Sequence, residues 1–192
     1  ARSLEAARAI GAAFEAGAVG KRYLALVRGW PPAAGEIDRS LARDPELPSA
    51  GQPRVPAMTR FRRLACHEWP FADGRHPSSR YALVEVEPLS GRRHQIRRHF
   101  KHLAHPVIGD STHGKGPHNR AVAEWLGVQR LWLHASRLAL PAFSGRSPTV
   151  IEAAAGSEVW MGPGVYRPTR GSERSATFAI ADGVGVYGGF AG

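Results

Sequence analysis

The chain has 192 residues, of which 43% are apolar, and its twenty-six Lys and Arg against sixteen Asp and Glu give a formal charge of +10. That length suits one ordinary domain, or one domain with an appendage, and the charge favours anionic partners, nucleic acid ahead of a membrane surface. A lone Cys66 excludes a disulfide framework or a cysteine-built zinc cluster, and no run approaches the roughly twenty apolar residues that span a bilayer, so a reducing, cytoplasmic setting is expected.

The opening residues, ARSLEAARAIGAAFEAGAVGKRY, hold no apolar stretch of the signal-peptide kind. They start without Met and directly in a helical pattern, from which we expect a longer parent chain. Residues 3–17 suit an amphipathic helix: Ser3 caps it, Leu4, Ala7, Ile10 and Phe14 share a stripe, and Gly17 and Gly20 end it. KRYLALVRGW follows as a strand closed by Pro31 and Pro32. The Pro-, Gly-, Ala- and Asp-rich segment from Ala33 to Pro56 reads as a long excursion or as short irregular strands. MTRFRRLACHEW and SSRYALVEVEPL both have strand character. In the second, period two sets Ala82, Val84 and Val86 on the expected buried face, with Tyr81, Leu83, Glu85 and Glu87 opposite.

Gly91 breaks that strand before RRHQIRRHFKHLA, where Ile96, Phe100 and Leu103 fall at i, i+4 and i+7 and predict a helix with one buried stripe. HPVIGDSTHGKGPHNR reads as a loop, followed by a short helix over Ala121–Leu126 and a strand over Arg130–Leu138. The connections are too short or irregular for regular βαβ crossovers, so the expected class is α+β, a mixed, mainly antiparallel sheet with helices around it. Composition changes near Ala153. From Gly156 to Gly192 there are nine glycines, no His or Lys, and short β-prone pieces such as TFAI and VGVYGGF. We therefore divide the chain into residues 1–152 and a tail, residues 153–192.

The stretch SGRRHQIRRHFKH, Ser90 to His102, carries eight basic residues and no acid. Arg97 stands out, because a guanidinium fork pairs bidentately with a phosphate or a carboxylate. Arg92, Arg93, Arg98 and Lys101 are either solvated helix charges or contacts to RNA phosphates. Arg54, Arg60, Arg62, Arg63, Arg75 and Arg80 could extend the same positive strip. His94, His99, His102 and His105 invite a metal reading, but no Cys completes a ligand set and the nearest carboxylate is Asp110, so no metal is expected. His94 is assigned structural hydrogen bonds and is grouped with the RNA-facing residues. Cys66 and His67 are adjacent on a strand and point to opposite faces, which argues against a nucleophilic pair. GDSTHGKG lacks the spacing of a phosphate-binding loop.

Together, KRYLALVRG, RYALVEVEPLSGRRHQIRRHFKHLAHPVIGD, STHGKGPHNR and LWLHASRLALP resemble successive motifs of the ribosomal-large-subunit-A-type family of pseudouridine synthases, over about residues 3–152. The HNR after HGKG and the length from Arg60 to Arg80 favour the branch that modifies uridine 65 of tRNA. The resemblance implies a mainly antiparallel sheet around a catalytic cleft and isomerisation of uridine to pseudouridine without cofactor or metal. It also implies tRNA or another structured RNA as partner, and a monomer when complete. It makes Tyr23 the tyrosine against the target base, Arg97 the arginine that pairs with the nucleophilic aspartate, and Leu133 the apolar wall of the pocket. A base taken out of its stack needs such a pocket, and its phosphates need positive charge such as Arg60, Arg62, Arg63, Arg92, Arg93, His94, Arg98 and Lys101 supply. By the same resemblance Asp110 supports a loop and is not the nucleophile.

Two departures shape the expectations. The family's HRLD motif, which carries the nucleophile, is absent, and neither Asp38, Asp44 nor Asp73 has its context. We therefore expect a fragment that is inactive by itself, with a non-catalytic RNA-binding protein as the alternative. The tail resembles the start of a secreted parallel β-helix protein, which suggests a fusion or join near residues 153–156 and leaves a secreted structural protein as a further alternative.

Overall fold

A computed structural model describes residues 3–70, 72, 76–143, 145 and 147–153. The Gly-rich tail, with the β-helix expectation attached to it, lies outside the described residues, as does Arg75.

Helix α1, Leu4–Glu15, begins where predicted, with the Ser3 hydroxyl accepting the Ala6 amide at 3.1 Å. Its apolar stripe is not buried, however: Leu4 and Phe14 are exposed, and no residue of the helix is fully covered. The strands that follow are β1 (Gly20–Arg28), β2 (Ala34–Asp38), β3 (Leu41–Ala42), β4 (Arg54–Val55), β5 (Met58–Trp69) and β6 (Ser79–Pro88). Then come α2 (Gln95–His102), α3 (Gly116–Leu126), β7 (Leu133–Leu140) and β8 (Thr149–Glu152). One sheet runs in the order β2-β5-β6-β1-β7-β8 with every pairing antiparallel, and β3 with β4 forms a separate small pair. The α+β class is thus observed, and the irregular segment before Pro56 resolves into the edge strand β2 and the β3–β4 pair.

α2 covers one face of this sheet. Ile96 and Phe100 pack with Ala25, Val27, Phe61, Ala82, Val84, Val86 and Val107, and the Phe61 and Phe100 rings meet edge to face at 5.4 Å. Burying a phenylalanine as fully as Phe100 contributes about 1.5–3 kcal/mol, which helps seat the most basic of the described helices on the sheet. A second core, Leu26, Trp69, Tyr81, Ile108, Val122 and Trp132, holds α3 through Val122.

That second core corrects the reading of β6. Ala82, Val84 and Val86 are buried as expected, but Tyr81 and Leu83, assigned to the open face, are buried as well. Of the four residues assigned to that face only Glu85 and Glu87 are partly exposed, and neither belongs to the second core. α3 begins at Gly116, five residues earlier than predicted for Ala121, with Pro117 in the first turn. Proline suits that position because its missing N–H would have no helical partner there. β7 starts at Leu133, later than the predicted Arg130. Trp132 instead bridges two segments, its carbonyl accepting the Leu26 amide at 3.0 Å and its amide donating to the Ile108 carbonyl at 2.9 Å.

Candidate active site

The site is built where α2 leaves the sheet. His94 caps the helix in the left-handed region, φ 54°, which costs a non-glycine residue about 1 kcal/mol or more. Gln95 holds the turn in place: its side-chain oxygen accepts from the Ser90 hydroxyl and the Arg92 amide, while its nitrogen donates to the Met58 carbonyl and to Thr59. One turn on, Arg97 reaches the loop between Val107 and Gly116. Its Nε and Nη2 donate to the two oxygens of Asp110 at 2.8 and 2.6 Å, a side-on bidentate pair.

Asp110 is 1% exposed, and Oδ1 also accepts the amides of Thr112 and His113 at 3.0 and 2.8 Å. Burial by itself pushes this carboxyl up, but the Arg97 fork, the His113 amide and the nearby positive charge more than offset it and hold the pKa below the ordinary carboxylate range. Asn119 of α3 fastens the loop on both sides of Asp110, accepting the Gly109 amide at 3.1 Å and donating to the Asp110 carbonyl at 2.8 Å. Asp110 is therefore an enclosed carboxylate committed to four donors, a poor attacking group. Among the described residues Arg97 has no hydrogen-bond or ion-pair partner besides Asp110, and its side chain is 15% exposed.

Tyr23 lies on β1 and Leu133 on β7. Ala25 faces Leu133 across the ladder and Tyr23 faces Ala135, so Tyr23 and Leu133 are diagonal neighbours on the face that α2 covers. Both pack partly exposed against the α2-side core, and burial raises the Tyr23 phenol above its ordinary pKa. A bulge between Arg22 and Tyr23 shifts the register at this point, a device that re-aims side chains. Tyr23, Leu133 and Arg97 thus share one side of the sheet.

The basic residues divide. Arg60 and Arg62 alternate with Thr59 and Phe61, which face α2, so both point to the other side of the sheet, where they pair with Glu36 and Glu85. The structure does not bring these two to the site. Arg63 donates to the Pro31 carbonyl at 2.5 Å. Arg93 pairs with Glu46, and Arg98 donates to the Ala42 carbonyl at 2.9 Å, so both are spent docking the β3–β4 segment. Arg92, bound to the Pro56 carbonyl at 3.0 Å ahead of the helix, and Lys101, in its last turn, remain exposed. His94 meets His113 at 3.2 Å, Nδ1 to Nε2.

Sequence reasoning missed Gln95, His113 and Asn119 as organisers of this site. Their only signal was position: Gln95 sits beside the helix start, and Asn119 follows the loop that Asp110 opens.

Burial, countered by Asp110 and reinforced by the positive charge of Arg97, His94 and Lys101, pushes the His113 imidazole down from 6.5 to about 4. Between those values the unfolded chain binds the proton that the folded chain refuses. Stability from this group is therefore complete above pH 6.5 and declines as pH falls toward 4. Urea titrations should show a loss of about 2 kcal/mol between pH 7 and pH 4.5, flattened in His113→Gln. An unchanged pH slope in the variant would assign the loss to other groups.

With this geometry in view, comparison with known proteins is specific. The RNA pseudouridylate synthase family matches residues 1–102, and the chain belongs to that family. It is similar to tRNA pseudouridine synthase C of Salmonella typhi, 44% identical over 171 residues, covering 83% of this chain and 63% of the relative. The corresponding protein of Vibrio cholerae is 42% identical over 147 residues, covering 74% of this chain and 60% of its own length. Among solved structures, Human RNA Pseudouridylate Synthase Domain Containing 1 superposes with a TM-score of 0.64 at 25% identity, covering 80% of this chain and 62% of that one. The chain thus spans less than two thirds of the curated relatives named here. Among the described residues, no helix is long and apolar enough to cross a membrane.

Proposed function

We propose that the chain supplies the RNA-holding part of an enzyme that converts uridine to pseudouridine in tRNA, with uridine 65 as the target. The observation that carries this reading is Arg97, fixed side-on by Asp110 and with no other hydrogen-bond or ion-pair partner among the described residues. Such a guanidinium can hold a second carboxylate ionised and oriented, which is what an attacking aspartate requires. Tyr23 would lie against the extruded base and serve proton transfer, Leu133 would wall the pocket, and Arg92 and Lys101 would meet phosphates. Residues 1–152 form the synthase portion in this reading, and residues 153–192 are separate from it.

Asp110 is the one described carboxylate on Arg97, and it is closed to attack. This favours a second reading for the polypeptide by itself: it binds RNA without turning it over. Filter binding to tRNA should give an affinity that falls with salt, at a slope of about −2 to −3 for some three phosphates. A pseudouridine assay on the same polypeptide should read no product. Salt-independent or undetectable tRNA association would overturn the RNA-holding reading, and turnover would overturn the assignment of Asp110 as an enclosed, non-attacking carboxylate.

A further inference from the structure

The chain has three lysines, of which Lys101 and Lys115 are exposed and Lys21 is partly buried. Lys21 lies on β1 two residues before Tyr23, and its Nζ reaches the turn between β6 and α2, donating to the Ser90 carbonyl at 3.3 Å. An ammonium has three N–H donors. Among the described residues this one carbonyl is the only group that Lys21 bonds, and no carboxylate pairs with it. The next residue of the turn is Gly91, and a Cβ there would stand 3.7 Å from Nζ, so glycine leaves the amine uncovered on that side. Arg92 and Arg93 follow directly, and α2 has no acid in its first turn.

A partly desolvated cation without a counter-charge is unfavourable in the free protein, and burial indeed lowers the Lys21 pKa. A salt link to Glu or Asp would have removed that cost within the fold; the local sequence SGRRHQ offers none. An incoming anion removes it instead. We propose that Lys21 is a further substrate-positioning residue, which grips a backbone phosphate of the RNA beside the nucleotide that Tyr23 receives. The inference rests on the RNA-holding reading above. A phosphate fixed from the same strand that carries Tyr23 would set how far the extruded base enters the pocket.

The test is tRNA binding by the unaltered chain, Lys21→Met and Lys21→Arg over a range of salt. Lys21→Met should weaken binding about 3- to 10-fold near 0.1 M salt and make the salt slope shallower by about one, whereas Lys21→Arg retains both. Amine-reactive labelling of the unaltered chain, read by mass spectrometry, supplies a measurement that needs no variant to fold: saturating tRNA should protect Lys21. If tRNA binds but Lys21 labels equally with and without it, or if Lys21→Met keeps the full slope, this inference falls and the RNA-holding reading stands. If the unaltered chain shows no salt-dependent binding, both fall together.

Discussion

Replacing Arg97 with methionine should destabilise the chain by about 3–5 kcal/mol, because it strands the Asp110 carboxylate in a site that is 1% exposed. Two of its four donors vanish, leaving the amides of Thr112 and His113. Burial then raises the carboxyl unopposed by the guanidinium, and the group must take up a proton or draw in water. The double variant Arg97→Met with Asp110→Asn should recover a good part of the loss, since no charge is left buried. Urea melts of the four proteins in the cycle measure the coupling directly. A loss under about 1 kcal/mol for Arg97→Met would show that the loop is held by Asn119 without the ion pair.

A loss of similar size is expected for Gly109→Ala. Gly109 has φ +76°, and a Cβ on it would stand 1.7 Å from the Arg130 carbonyl oxygen. Neither backbone can retreat cheaply: Ile108 and Trp132, the neighbours of the clash, are hydrogen-bonded at 2.9 Å and both belong to the second core. The variant should lose at least about 3 kcal/mol, and its Asp110 loop should become susceptible to protease. Gly127→Ala makes the control. It has a similar φ of +69° with nothing within 4 Å, so it isolates backbone strain at about 1 kcal/mol. Similar thermal midpoints for the two variants would refute the steric argument.

The same particulars show how far the sequence could be read. β5 was legible to the residue, and β6 to within one residue at each end, because alternation and turn residues mark strands locally, and the Ile96–Phe100 stripe located α2 for the same reason. Tyr81 was misplaced because its burial depends on Trp69, Val122 and Trp132, which lie far along the chain. α3 was shortened because Gly116, Pro117 and His118 are poor helix formers, although proline is well suited to a first turn. At the site, residue type singled out Arg97, but no periodicity reveals that Glu46 and the Ala42 carbonyl would absorb Arg93 and Arg98. Long-range pairing decides which charges remain available, and a run of like charges conceals it.

The Asn119 fastening turns α3, the Asp110 loop and Arg97 into a linkage without a slack joint. Each member is bonded at two points to the next: Asn119 to Gly109 and Asp110, and Asp110 to Arg97 through both carboxylate oxygens. A linkage of that kind transmits position and does not absorb it. Under the RNA-holding reading proposed above, a substrate arriving slightly out of place would find an arginine that does not follow it, and the tolerance for misfit would lie in the RNA.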